Sequence, residues 1–118
     1  AADVFIAVTP EYNFSAPPSL VNAFDYLFEE WAYKPIGFVT YGGVSGGTRS
    51  LLGARQMASA LKMVPVLESV NVPFFTQFID AEGKFTPNPA TEKGAAGMFA
   101  ELKKWAGPLR AMREAAAP

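Results

Sequence analysis

Val4-Phe5-Ile6-Ala7-Val8-Thr9-Pro10-Glu11-Tyr12-Asn13 sets five consecutive apolar residues directly before a polar, aromatic loop that continues through Phe14, Pro17 and Pro18 to Leu20. A short apolar run without polar alternation fits a strand covered on both faces, as in a parallel sheet. The loop is longer than a minimal strand-to-helix connection of roughly two to six residues, and it spends Tyr12 and Phe14 on an exposed tip. Open parallel sheets bind ligands at the loops that follow their strands. Whether this loop is such a place depends on the sheet that the rest of the chain builds.

Two further runs, Ile36 to Tyr41 and Val64 to Val72, have the composition of buried strands. Between the first two strands, Leu20, Phe24, Leu27 and Trp31 recur at helical spacing, opened by Pro18 or Ser19 and closed by Lys34-Pro35. Between the second and third, Leu51, Ala54, Ala58 and Leu61 line one helical face. Met98, Phe99, Leu102, Trp105, Leu109 and Met112 mark a long last helix, which Gly107-Pro108 is expected to kink or break. Met98, Phe99 and Trp105 are expected in the core. The order β-α-β-α-β-α implies right-handed parallel βαβ units with helices on both faces of one sheet.

The 118 residues suit a single α/β domain over 1–118, and their composition, 50% hydrophobic and 18% charged, opposes disorder. Ten basic against eleven acidic residues leave a net charge of -1, with no basic cluster of the kind that nucleic acid or an anionic membrane selects. Neither partner is expected. No apolar run approaches the roughly 18 residues of a spanning helix, and a soluble, cytoplasmic protein is expected. With no Cys and no His, thiol nucleophiles, Ser-His dyads and nearly every zinc or haem site are excluded. Reactions left open use carboxylates, hydroxyls, backbone amides or a borrowed cofactor, and no metal site is expected.

The chain enters its first strand almost at once, and Val4 to Val8 carries neither the charge nor the proline that usually protects a sheet edge. This bare edge has two explanations. In one, the chain is the C-terminal part of a larger sheet whose first strands precede Ala1. In the other, a three-stranded domain covers this edge by dimerising. The only low-complexity stretch is the Ala-rich tail, Ala115 to Pro118.

A second unusual loop, Tyr41-Gly42-Gly43-Val44-Ser45-Gly46-Gly47-Thr48-Arg49, comes after the second strand. Its glycines either make a tight connection or let backbone amides at a helix start approach a ligand. The spacing is neither a Walker motif, since Thr48 and Arg49 stand where Lys and Ser/Thr are needed, nor G-x-G-x-x-G.

Thr9-Pro10-Glu11-Tyr12-Asn13 leading to Leu20-Val21-Asn22-Ala23-Phe24-Asp25, together with Tyr41 to Gly47 leading to Arg49 and Arg55-Gln56, resembles the NADPH-dependent FMN reductases, which include quinone, azo-dye and chromate reductases. The resemblance implies a flavodoxin-like doubly wound parallel sheet of order 2-1-3-4-5, of which this chain supplies the third to fifth strands. It implies FMN contacts from Pro10, Glu11, Tyr12, Asn13, Tyr41, Gly42, Gly43, Ser45 and Gly46. It further implies NADPH or NADH as donor, a quinone, azo, metal-oxyanion or flavin acceptor, and a homodimer or higher homo-oligomer. The flavin carries the chemistry, so no side chain is assigned as catalytic. The sequence departs from the family at Phe14 and Pro17-Pro18, where small residues are usual, and it holds no Ser/Arg-rich loop for the FMN phosphate.

Two other readings stay open: a flavodoxin-type electron carrier, and a non-catalytic interaction module. Asn22 and Asp25 read as structural polar groups at the start of the first helix, where an acid favours the helix dipole, and Arg49 and Arg55 as surface or subunit-contact residues.

Overall fold

The computed structural model describes residues 1–116; Ala117 and Pro118, the end of the Ala-rich tail, lie outside the described residues. Strand β1 (Phe5–Pro10) is followed by helix α1 (Pro18–Tyr26), β2 (Pro35–Tyr41), α2 (Thr48–Ala60), β3 (Val64–Val72), a 3-10 turn (Phe75–Phe78) and α3 (Pro89–Ala115). The strands form one parallel sheet of order β1-β2-β3, with Phe5 opposite Ile36 and Pro10 opposite Tyr41. Both crossovers are helical, as the alternation implied.

Side chains of β2 alternate between two cores. Ile36 and Phe38 pack with Phe24, Leu51, Ala54, Ala58 and Met63 under α1 and α2, while Val39 faces Met98 and Leu102 of α3. Gly37 makes the second contact close: a Cβ there would lie 2.7 Å from the Met98 sulfur. Beside it β3 bulges, since Ile36 pairs with Pro65 but Phe38 pairs with Ser69. The Arg55 guanidinium donates to the carbonyls of Val66 (3.1 Å) and Leu67 (2.5 Å), two of the bulged residues. Arg55 therefore ties α2 to this edge of the sheet.

Three expectations are corrected. Helix α1 ends at Tyr26, and Leu27 is extended at φ -127, ψ 159, so Asp25, expected near the helix start, lies in the last turn, where an acid gains nothing from the dipole. Trp31 lies in the turn beyond the helix, edge-on to Phe5 (4.7 Å between centroids) and Phe24 (5.8 Å). Its helical spacing from Phe24 reflects one shared core, which both residues reach from different local structures. Second, α3 is not broken at Gly107-Pro108 but runs on to Ala115. Lys104, Gly107 and Pro108 are all exposed or nearly so, and water can solvate the carbonyl that loses its donor. Third, Phe99 and Trp105 are 48% and 43% exposed, and only Met98 of the three is buried. Phe99 lies one residue, about 100°, round the helix from Met98.

Helix α3 begins with a reciprocal cap. Asn88 Oδ1 accepts from Thr91 N–H, and Thr91 Oγ1 accepts from Asn88 N–H, both at 2.9 Å. On the α3 side of the sheet, β1 leaves Ile6 (40%) and Val8 (66%) in the open.

Candidate functional site

Parallel pairing delivers the ends of β1 and β2 side by side, so both unusual loops leave from the same end of the sheet. Glu11 N–H donates to Tyr41 O at 3.2 Å and continues the ladder one step beyond Pro10. The first loop then closes on itself: Tyr12 and Ser15 exchange two backbone hydrogen bonds of 2.9 and 3.0 Å. The residues between them, Asn13 (φ 50) and Phe14 (φ 67), are both left-handed, as a two-residue hairpin turn requires. That conformation is unusual for Phe. The Phe14 ring is held by the Arg49 guanidinium, 3.8 Å from its centroid.

Glu11 joins the two loops. Its carboxylate accepts from Ser45 Oγ (2.9 Å), from Arg49 N–H (3.1 Å) and more weakly from Ser50 N–H (3.4 Å) at the start of α2, and from Arg49 Nε (2.6 Å). Arg49 Nη2 lies 2.5 Å from the same Oε1 that accepts from Nε, and the Glu11 side chain is only 6% exposed. Burial pushes this carboxyl's pKa up. The hydrogen bonds from the Arg49 side chain, Ser45, and the Arg49 and Ser50 backbone outweigh burial and hold it below the usual carboxylate range. Ser50 Oγ adds a bond to Pro10 O at 2.9 Å. The helix start that the glycine pattern offered to a ligand is thus filled by the protein's own anion.

The glycines divide by role. Gly46 (φ 60) and Gly47 (φ 82) are left-handed and buried; added Cβ atoms would meet Pro73 N at 3.0 Å and Thr40 Cβ at 2.7 Å. Both serve internal packing. Gly43 is exposed, and a Cβ there would meet nothing within 4 Å, while Gly42 lies against Gly47 and Glu11. Among the described residues, the N–H groups of Gly43, Val44 and Ser45 enter no hydrogen bond.

Sequence reasoning missed two contributors. Phe74 and Phe75 N–H donate to the carbonyls of Gly43 (3.0 Å) and Gly42 (3.3 Å), clamping the Gly-rich loop from the segment after β3. The aromatic run after Pro73 was the available signal. Arg49 is the other: it is a surface residue, as expected, with its side chain 42% exposed, but it is also bound to Glu11, which was not foreseen. The Tyr41 ring turns to the α3 side and meets Phe75 edge-on at 5.4 Å. There it lines an apolar groove of about 370 Å³ with Val8, Val39, Val72, Phe75, Ile79 and Phe85.

Of the expected site residues, Pro10, Glu11, Tyr41, Gly42 and Ser45 are brought together by these bonds. Tyr12 (57% exposed) and Asn13 stand on the tip, Gly43 is open, and Gly46 is backed onto Pro73. The site has no free base, since its buried carboxylate is fully engaged. What it offers is aromatic surface and unspent backbone donors, which suit a flat ligand with a polar edge.

Residues 1–77 match the family described as NADPH-dependent FMN reductase. An NAD(P)H-dependent FMN reductase of Schizosaccharomyces pombe is 36% identical over 106 residues, covering 86% of this chain and 52% of its own length. An NADPH:quinone oxidoreductase of Arabidopsis thaliana is 35% identical over 102 residues, 78% of this chain and 50% of its own. The chain spans about half the length of these curated relatives. Among solved structures, FerB, a flavoenzyme NAD(P)H:(acceptor) oxidoreductase from Paracoccus denitrificans, superposes with a TM-score of 0.66 at 22% identity. The match covers 92% of this chain and 62% of FerB, which shows a shared flavodoxin-like fold.

Proposed function

The chain belongs to the NADPH-dependent FMN reductase family, and from that premise we propose that it forms the flavin-ring side of an FMN-dependent NAD(P)H oxidoreductase. One observation carries the reading: two loops from adjacent parallel strands are bonded into one unit that leaves Tyr12 exposed and three consecutive N–H groups unspent.

These residues fit an isoalloxazine ring. Tyr12 and Asn13 supply contact from the tip, and Pro10 and Gly42 form the floor between the loops. Gly43, lacking a side chain in open space, lets the backbone come close, and the Gly43, Val44 and Ser45 amides can donate to the ring's polar edge. Bound FMN would supply the redox chemistry, accepting hydride from NAD(P)H and delivering two electrons to a small-molecule acceptor such as a quinone. The role of this chain is to orient the ring and place backbone dipoles against it. The FMN phosphate is held elsewhere than the start of α2, because the Glu11 carboxylate occupies that position. A homodimer and a cytoplasmic location belong to the same reading, the homodimer supported by exposed apolar residues such as Tyr26 (82%) and Leu52 (62%).

FMN titration of the wild type and of Tyr12→Ala tests the site. Loss of an aromatic contact with a large ring is expected to weaken binding by about 1 to 3 kcal/mol. Bleaching of bound flavin by NADPH, with recovery on adding a quinone, tests the reaction. An unchanged dissociation constant in Tyr12→Ala overturns the assignment of the tip.

A further inference from the structure

Glu11 and Arg49 are 38 residues apart in sequence, yet their pairing is the most heavily bonded contact of the site. The carboxylate collects five donors, and all of them come from the Gly-rich loop or the first turn of α2. Arg49 reaches past Glu11 to lie over the Phe14 ring at 3.8 Å. The tip is thereby held at its base by Glu11 and at its far side by Phe14.

We propose that Glu11 and Arg49 are a positioning pair, a latch that holds the Tyr12–Ser15 turn in one pose against the Gly-rich loop. Three features support this. The turn holds Phe14 left-handed, a conformation that for this residue persists only where surrounding contacts enforce it. Its own two backbone hydrogen bonds are exposed, and an isolated hairpin of this size is not stable in water. Contacts reach it from α2 through Glu11 and Arg49: the guanidinium on the carboxylate, and the guanidinium on Phe14. Two nitrogens of one planar guanidinium converge on Oε1 while its face lies over the Phe14 ring, an arrangement that the point charge of Lys at 49 cannot reproduce. Neither residue touches a reacting atom. Their effect on a ligand passes through Tyr12 and Asn13, and for FMN this rests on the functional reading above.

Amide hydrogen exchange in the full chain without flavin tests the latch directly. In Glu11→Gln, the Tyr12 and Ser15 amides are expected to exchange roughly tenfold faster, the scale of one lost charge-assisted interaction, while Phe38 and Val39 in the central strand keep wild-type rates. Arg49→Lys is expected to follow Glu11→Gln. In Glu11→Ala, formate in place of the missing carboxylate is expected to slow the turn amides again, and chloride is not. Wild-type exchange of the turn in Glu11→Gln overturns the latch, as does acceleration of turn and strand alike. FMN titration is then run on the same proteins. A roughly tenfold weaker affinity in Glu11→Gln supports the pair's role toward the ring. Unchanged affinity with a loosened turn overturns that role, and a wild-type protein that carries a phosphate-binding loop of the family and still binds no FMN overturns the functional reading while exchange still decides the latch.

Discussion

Gly47 packs directly onto Thr40: a Cβ at Gly47 would lie 2.7 Å from Thr40 Cβ and 2.9 Å from Tyr41 N. With φ at 82°, Gly47 has two reasons to be glycine, backbone conformation and space. Gly47→Ala is expected to destabilise the fold by about 2 to 4 kcal/mol, the sum of left-handed strain and overpacking. Gly43→Ala, four residues away in open space, is expected to stay within about 0.5 kcal/mol of wild type. Urea unfolding of the two variants checks the contrast, and equal losses would show that the loop's glycines share one role.

Thr40 is fully buried at the end of the central strand, where its hydroxyl donates to Gly46 O at 2.8 Å and accepts from Asn71 Nδ2 at 2.6 Å. Thr40→Val keeps the shape and removes both bonds, leaving Gly46 O and the Asn71 amide short of a partner. A loss of about 1 to 3 kcal/mol in chemical unfolding is expected, with little change in the denaturant slope. A neutral Thr40→Val would mean that water replaces the hydroxyl.

Glu11 is held below the usual carboxylate range in the folded state, because its hydrogen bonds outweigh the effect of burial. Between its unfolded value and its lower folded value, the unfolded chain binds the proton and the folded chain does not. The stability that Glu11 contributes is therefore complete above the carboxylate range and lost as pH falls through it. Unfolding free energies measured from about pH 7 to about pH 3 are expected to fall more steeply for wild type than for Glu11→Gln. Parallel curves would show that the ion pair adds nothing to stability.

Pro108 lies inside α3 on an exposed stretch and leaves Lys104 O without its helical donor. Pro108→Ala restores that bond and relieves the ring's clash with the preceding turn, worth about 3 kcal/mol in a helix interior. The greater freedom of the unfolded alanine chain returns roughly 0.4 to 1 kcal/mol of that. A net stabilisation of about 2 to 2.5 kcal/mol is expected, read as a higher urea midpoint.

Much of the scaffold was legible because its signals are local. Val64 to Val72 declares a strand by composition, and Leu51, Ala54 and Ala58 declare a helix face by spacing; both elements form where expected. Successive strands too far apart for hairpins must pair in parallel, and parallel pairing alone brings Pro10 beside Tyr41 and the two loops to one end. The path of the chain beyond these elements depends on distant partners. Trp31 keeps helical spacing from Phe24 yet lies beyond the helix, because periodicity reports a direction toward the core and not the backbone that reaches it. Trp105 keeps the Met98 stripe seven residues on yet stays 43% exposed, since no pattern in one helix states how wide a surface it will meet. Composition and spacing are enough for an alternating parallel fold with two unusual loops at one end. That Glu11 turns inward to Arg49 and the start of α2 is a property of the assembled sheet, because an ion pair across 38 residues exists only after the intervening strand has set its partners side by side.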